Sequence, residues 1–311
     1  MAGVTATDEV LAKEFSTHRA HLIGVAYRLT STVSDAEDAV QEAWLRLSGL
    51  DDAHRAAIRD LRGWLTTVVG RICLDRLRSA AVQRERYIGP WLPEPIVTPF
   101  GARPSDDPLE TVVQNEQVRL AALVVLDKLT PEQRVAFVLH DAFGVPFAEI
   151  GELLGVAEAT ARQHASRGRR AAADAEPPPL TDIESQRALV ERLLTAIVAG
   201  DVESVVAALH PDAVLIGDAN GKTRTARRHI VGADKIGRFI AGLAETYGVE
   251  RLALGQFVLV NGELGMLIPD LPADGDHKAV SRRVTVFEIA DGRVTRIYDM
   301  ANPDKLTRLT F

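Results

Sequence analysis

A single cysteine, Cys73, stands in a chain of 311 residues, so no disulfide framework can form within it. With cysteine this scarce, a reducing cytoplasm is the expected setting. Long apolar runs are lacking too: none reaches the roughly 18 residues that a membrane-spanning helix needs. The opening stretch, MAGVTATDEVLAKEF, is polar and acidic and has no basic-then-apolar signal peptide order. No membrane partner is expected. There is no Cys/His metal cluster, no phosphate-binding glycine loop and no GxSxG, so no metal, no cofactor and no catalytic residue are expected. Nor is there an excess of positive charge. The formal net charge of −7 argues against indiscriminate nucleic-acid binding, which makes any local basic cluster informative.

What is present is ordinary globular material, 46% hydrophobic and 25% charged, at a length that suits two or three domains. Residues from about Asp8 to Gln83 carry helical periodicity without proline. The stretch YIGPWLPEPIVTPFGARPSDDP (87–108) holds six prolines and reads as a linker, since it can be neither a regular helix nor a central strand. Residues 109–175 are helical again, and a stiff proline-rich segment (176–180) follows. From 181 to 311 the pattern changes to helices followed by alternating runs. Asn220-Gly221, Asn261-Gly262 and Asp291-Gly292 punctuate those runs as hairpin turns, predicting an α+β domain with an antiparallel sheet.

Within the second helical block, Phe147–Leu154 predicts a short helix, Gly155 permits a turn that Val156 plugs, and a helix from about Glu158 to Arg170 follows. Gly151 is small where the second helix must cross closely, and Ala161 and Ala165 form an inward stripe. This is the packing of a helix-turn-helix. Arg162, Gln163, Ser166, Arg167 and Arg170 project from the other face, residue types suited to base edges and phosphates. A three-helix bundle with a solvated basic face fits the same spacing. Ala157 sits where a serine or threonine cap is usual, a cost of about 0.5–2 kcal/mol. Thr130-Pro131-Glu132-Gln133 and Ser34-Asp35-Ala36-Glu37 both read as capping boxes opening helices. On the helix after Ser34, Asp38, Gln41, Glu42 and Leu45 share one face, an acidic stripe carrying a leucine that suits either a basic partner or plain solvent. Further on, a buried ladder from Trp64 to Leu77 carries a basic edge of Arg71, Arg76, Arg78, Arg84 and Arg86.

Together these blocks resemble a known family. DAEDAVQEAWLRL and LRGWLTTVVGRICLDRLRS are similar to region 2 of the extracytoplasmic-function branch of the sigma-70 family. LTPEQRVAFVLHDAFGVPFAEIGELLGVAEATARQHASRGRRA is similar to region 4. The resemblance implies a bacterial specificity subunit whose partners are core RNA polymerase (β′ clamp and β flap) and promoter DNA. It places Asp38, Gln41, Glu42 and Leu45 in the polymerase-binding helix and Arg71, Asp75, Arg76 and Arg78 toward the −10 element. Arg162, Gln163, Ser166, Arg167 and Arg170 fall in the −35 reader. Arg71 stands where many relatives have asparagine, and His164-Ala165 replaces a commoner arginine-leucine pair, so the promoter sequence does not follow.

The last 130 or so residues extend beyond a typical member. Their element order and the GD…LHPDAVL…GADKI string resemble the SnoaL-like group of the NTF2-like cone fold. The expected architecture is therefore two all-α sigma domains followed by an α+β cone. WLPEP (Trp91, Leu92, Pro93, Glu94, Pro95) resembles the linker motif of sigma factors with this appendage, and NPDKL (Asn302, Pro303, Asp304, Lys305, Leu306) their terminal motif. DANGK, with Asp218 and Lys222, resembles a degraded Asp-Gly-Gly-Gly-Lys string. The resemblance implies that the appendage regulates in cis by touching the linker. Trp91 and Leu92 are apolar anchors that fit such docking or local packing equally. Cone folds enclose pockets, so a small ligand of unspecified chemistry is the remaining partner. Asp218, His210, His229, Tyr247, His277 and Asp299 are acid–base types there, but no spacing unites them. A stand-alone, ligand-responsive helix-turn-helix regulator is the alternative reading. It would bind a palindrome without polymerase and leave the acidic stripe unexplained.

Overall fold

The computed structural model describes residues 6–84, 86–101, 109, 119–173, 182–252 and 254–309. The second proline linker, Thr181 and the end of the first linker lie outside the described residues, as does the side chain of Arg84. The chain divides into two compact units. One comprises Met1–Glu85, Pro104–Val118 and Ala122–Glu176; the other comprises Arg86–Arg103, Arg119–Ala121 and Pro177–Phe311. No described helix is long and apolar enough to cross a membrane.

The first unit is helical. Helices α1 (Ala6–Thr30), α2 (Val33–Ser48), α3 (Asp52–Ala57) and α4 (Leu61–Arg84) are followed by α5 (Leu120–Leu126, which joins this unit from Ala122), α6 (Pro131–Phe137), α7 (Phe147–Leu154) and α8 (Glu158–Ala173). A single π turn, Val138–Ala142, extends α6. Leu22, Ile23, Leu65, Val69, Leu74 and Leu139 are among the residues that fill its interior. The capping box at α6 forms as the sequence predicts: the Thr130 hydroxyl accepts from the Gln133 amide and the Gln133 side chain accepts from the Thr130 amide.

The box expected at Ser34 does not form. α2 begins at Val33, and Thr32 takes the cap position without a side-chain cap bond. Burial of Val33 pulls the helix start forward, and the Thr32 hydroxyl donates to the Asp35 carboxylate rather than serving the backbone. Between α7 and α8 the chain turns on Gly155 at φ +70°, a left-handed conformation that glycine adopts at no steric cost. A Cβ on Gly151 would lie 2.9 Å from the Val156 carbonyl, so only glycine allows that crossing, and Ala161 and Ala165 are fully buried beneath it.

The second unit is a seven-stranded sheet with helices packed against it. Its elements are β1 (Val97–Pro99), α9 (Ile183–Val198), α10 (Val202–Ala208), β2 (Leu209–Asp218), β3 (Ile230–Val231), α11 (Ala233–Tyr247), α12 (Val249–Leu252), β4 (Gln256–Val260), β5 (Glu263–Ile268), β6 (Arg283–Ala290) and β7 (Arg293–Met300). The strand order is β1-β4-β5-β6-β7-β2-β3. Asn261-Gly262 and Asp291-Gly292 make the hairpins β4–β5 and β6–β7, with Asn261 and Asp291 at positive φ.

Three expectations are corrected here. The sheet is mixed, because β2 lies parallel to β7. The intervening helices and hairpins supply the long crossover that parallel neighbours require. Asn220-Gly221 closes a turn in which the Lys222 amide donates to the Ala219 carbonyl, but the chain then runs on to β3 ten residues later rather than forming a tight hairpin. In addition, the middle of the first proline linker is an edge strand: Val97, Thr98 and Pro99 pair with Val260, Leu259 and Val258. Proline is tolerated at a sheet edge, where its missing N–H costs no ladder bond.

His21 illustrates how the first unit is tied together. The Arg62 guanidinium donates to its Nδ1 at 3.0 Å and its Nε2 meets the Thr66 hydroxyl at 3.0 Å, while the ring packs edge-on against Phe143. Burial, then the Arg62 charge, lowers its pKa to about 4. An unfolded chain binds a proton there near pH 6.5, whereas the folded one resists until about pH 4. Stability contributed by the neutral ring is therefore present above pH 6.5 and is lost as pH falls toward 4. We predict that urea denaturation will show a loss of about 1–2 kcal/mol attributable to this group across that window, after allowance for partial exposure. His21→Gln should flatten the slope. An unchanged slope in the variant would remove the assignment.

Candidate functional site

Three surfaces carry the residues singled out by sequence. On α2, the buried face of Ala36, Val40, Ala43 and Leu47 turns Asp38, Gln41 and Leu45 outward, with Glu42 half-buried beside them. Leu45 is 60% exposed, an apolar side chain standing in an acidic surround. Arg76 of α4 reaches this same stripe, 3.1 Å from Asp35, 3.6 Å from Asp38 and 3.9 Å from Glu42, and Arg46 pairs with Glu42 at 2.6 Å. Its charge thus partly balances the α2 carboxylates.

The exposed edge of α4 continues with Arg71, Asp75 and Arg78. Within the first unit two of these meet the helix-turn-helix block. Arg71 donates to the Glu152 carbonyl at 3.3 Å, and Arg78 makes a two-pronged contact with the Glu132 carboxylate at 3.0 and 3.2 Å. Behind them Arg134, 1% exposed, donates to the Arg28 carbonyl at 3.1 and 3.0 Å, to Asp127 at 3.2 Å and to the Ser31 hydroxyl. It closes the carboxy-terminal end of α1, where carbonyls are otherwise unpaired. On α8, Arg162, Gln163, Ser166, Arg167 and Arg170 are all exposed on one face. Arg162 is braced by Glu158 at 2.6 Å and lies over the Phe147 ring at 5.2 Å. Arg169 points elsewhere and is held by Asp141.

The third surface lies in the second unit and brings three sequence strings to one point. Asp218, at the end of β2 and fully buried, accepts from the Leu92 amide at 2.7 Å, from the Tyr87 hydroxyl and from Lys305 Nζ at 2.6 Å. Lys305 also donates to the Leu92 carbonyl and lies over the Trp91 ring at 4.0 Å. Asn302, 2% exposed, donates to the Tyr87 oxygen at 2.8 Å and accepts from the Asp304 amide, which opens the short 3₁₀ turn Pro303–Lys305. At the solvent edge Lys222 pairs with Asp304. Leu92, Pro93, Glu94 and Pro95 are buried and Trp91 is half-buried. Burial, together with the carboxylate it serves, pushes the Tyr87 phenol above its ordinary pKa, so it remains a donor.

Sequence reasoning missed Tyr87, Asn261 and Glu263. The Asn261 side chain accepts from the Ile96 amide at 3.2 Å, beyond its turn role. Glu263 receives Arg119 at 3.0 Å and the Leu120 amide at 3.1 Å. Burial raises the Glu263 pKa, opposed by Arg119. An acid placed directly after Asn-Gly in an otherwise apolar strand was the available signal. The acid–base types of the cone are not brought together: His210 and His229 are exposed, Tyr247 packs with Ile268 and Val280, His277 meets Asp274, and Asp299 lies in the sheet interior.

Comparisons with known proteins match three stretches of the chain. Family profiles match Sigma-70 region 2 over residues 15–82, Sigma-70, region 4 over 119–171, and a SnoaL-like domain over 190–297. The chain is 51% identical over 300 residues to ECF RNA polymerase sigma factor SigJ of Mycobacterium tuberculosis, covering 94% of this chain and 92% of the relative. It is 34% identical over 225 residues to the probable ECF RNA polymerase sigma factor SigI of the same species, covering 71% and 72%. The crystal structure of the M. tuberculosis extracytoplasmic function sigma factor SigJ superposes with a TM-score of 0.78 at 49% identity, covering 95% of this chain and 98% of that one.

Asp218→Ala would leave Lys305 charged and buried without its partner. We predict a loss of about 3–5 kcal/mol in the stability of the second unit. Limited proteolysis should show new cleavage within residues 87–96 before any other site. Protection equal to that of the parent chain would mean that β1 alone holds the segment.

Proposed function

The chain belongs to the extracytoplasmic-function branch of the sigma-70 family of RNA polymerase sigma factors, and from that premise we propose how its surfaces divide promoter selection. The stripe of Asp38, Gln41, Glu42 and Leu45 docks on the β′ clamp of core polymerase, with Leu45 as the apolar anchor and the carboxylates facing basic groups. Arg71, Asp75, Arg76 and Arg78 belong to the surface that meets the −10 element. The α8 face of Arg162, Gln163, Ser166, Arg167 and Arg170 reads the −35 element, and its block engages the β flap. Phosphate contacts position the protein and base contacts specify the site. The work is recruitment and strand separation, with no covalent step assigned to any residue.

The observation that carries the docking assignment is the solvent-facing Leu45 among carboxylates, which a stand-alone DNA-binding regulator leaves without a role. Arg71 and Arg78 are occupied by the Glu152 carbonyl and the Glu132 carboxylate. They must exchange those acceptors for nucleic acid when polymerase opens the pair of regions. The cone regulates in cis by holding the linker through Asp218, Lys305 and Asn302. A linker held at Leu92 by Asp218 and Lys305 and paired over Val97–Pro99 as an edge strand limits the separation available to the regions it joins.

Run-off transcription with purified bacterial core polymerase on a panel of promoters tests each part. Leu45→Glu should reduce core binding and initiation about tenfold or more, the cost of placing a charge at an apolar anchor. Replacing both Arg162 and Arg167 with alanine should leave core binding intact while promoter discrimination collapses, at about 1–3 kcal/mol for each arginine–base pairing removed. Asp218→Asn should raise run-off by loosening the linker; a fall would reverse the sign of the regulation. DNA binding without polymerase should be weak and should fall steeply with salt. Tight, polymerase-independent binding to a palindrome, with no core binding, would overturn the docking assignment.

A further inference from the structure

Glu263 holds something other than the linker. The match to Sigma-70, region 4 begins at Arg119, so the two residues that meet this carboxylate are the first two of region 4. They nevertheless belong with the cone: Arg119–Ala121 fall in the second unit, while the chain from Ala122 falls in the first. Helix α5 therefore begins in one unit and ends in the other.

The cone's side of the contact is specific. Glu263 opens β5, is 4% exposed, and uses both of its oxygens. Oε1 accepts from Arg119 Nε at 3.0 Å and Oε2 from the Leu120 amide at 3.1 Å. That amide is the first of α5 and has no acceptor within the helix. Glu288, a second buried carboxylate on β6, is supplied by its own strand pair: Arg296 at 2.5 Å and the Thr295 and Tyr298 hydroxyls, each at 3.2 Å. Glu263 is supplied from region 4 instead, its ion pair among the described residues being with Arg119. Burial raises the Glu263 pKa, Arg119 opposes that rise and the charge of Glu288 adds to it. A buried carboxylate beside another is destabilising unless a cation reaches it, so the start of β5 is completed only by region 4.

The same turn also holds the chain upstream. Asn261, at φ +53°, accepts from the Ile96 amide through its side chain and donates its own amide to the Ile96 carbonyl at 2.8 Å. Two positions of one β4–β5 turn thus hold the chain on either side of residues 100–118.

We propose that Glu263 is the cone's docking point for region 4, gripping Arg119 and Leu120 so that region 4 is tethered by its own first residues as well as by the linker. The bearing of this grip on promoter selection rests on the cis regulation proposed above; the grip itself does not.

Hydrogen exchange of the full chain, read at the Leu120 amide with the β6–β7 hairpin amides as reference, tests the grip. Glu263→Met and Arg119→Met should each speed exchange at Leu120 about tenfold or more, through loss of a charged hydrogen-bonded contact, with the reference unchanged. Arg119→Lys, which keeps the charge, should fall between Arg119→Met and the parent. The double variant should be no faster than Glu263→Met alone, because both changes remove one contact. Should Glu263→Met fail to fold, the two Arg119 variants still decide. Unchanged exchange at Leu120, effects that add in the double variant, or equal acceleration at the β6–β7 hairpin would each overturn the grip. Run-off transcription then separates the grip from its use. With Leu120 opened by Glu263→Met, run-off should change in the same direction as in Asp218→Asn; run-off equal to the parent's leaves the grip standing and overturns its regulatory role.

Discussion

A carboxylate with no access to water is an expensive thing to fold around, and Asp218 is fully buried. Removing an unpaired carboxylate from water costs several kcal/mol even after relaxation, so the fold must bring it a cation and further donors. The cation is Lys305, from the terminal 3₁₀ turn; the donors are the Leu92 amide and the Tyr87 hydroxyl, from the proline-rich segment. Because these partners come from two stretches of chain far apart in sequence, satisfying the carboxylate requires the segment before Val97 to lie against the cone. Once it lies there, Asn261 pairs with both the amide and the carbonyl of Ile96, and Val97–Pro99 completes the sheet edge beside β4. A proline-rich stretch that could not form a helix thus becomes part of a sheet through one buried charge.

The first unit follows a different logic, with arginines set against backbone carbonyls and a few carboxylates. Arg134 fills the end of α1 from α6, and the approach of α4 to the same block depends on Gly70, where a Cβ would lie 2.9 Å from a Leu139 methyl. That close seam places Arg71 and Arg78 within reach of Glu152 and Glu132. These surface contacts are screened and individually weak, whereas the buried Arg134 cluster is not. In the role proposed for them, Arg71 and Arg78 would give up these contacts at small cost while the internal anchor persists.

Legibility followed the range of the interaction. The helix-turn-helix could be read because its determinants are local: Gly151 and Gly155 lie four apart, Ala161 and Ala165 lie one helical turn apart, and each has one steric reason to be small. Thr130 and the turns at Asn261 and Asp291 were legible for the same reason. Ser34 misled because burial of Val33, a tertiary demand, moved the helix start. The parallel pairing of β2 with β7 joins residues some eighty positions apart and leaves no periodicity in either strand. Asp218, Leu92 and Lys305 were singled out through resemblance to known linker and terminal strings; nothing in their spacing announces that they meet. Tyr87 and Glu263 had no such string to mark them.

A cavity of about 380 Å³ between the sheet and helices α9, α11 and α12 lies beside the linker contact along the sheet. Gly217 and Asp218 of β2 stand opposite Asp299 and Met300 of β7, so the carboxylate lining the cavity and the carboxylate holding the linker are neighbouring positions on paired strands. The loop after β2 reinforces the link: Thr225 donates to Asp299, Thr223 donates to the Ala301 carbonyl at 2.6 Å, and the Ala301 amide donates to the Asp218 carbonyl at 2.7 Å. Any displacement of Asp299 must be absorbed by a strand pair whose next residue carries the linker. Proximity alone does not couple two sites. An occupant changes the linker's hold only by as much as its affinity differs between the held and released forms, and the linker's state changes the occupant's affinity by the same factor. The short path from Asp299 to Asp218 is where such a difference would arise, because a packed strand pair moves as a unit rather than deforming residue by residue.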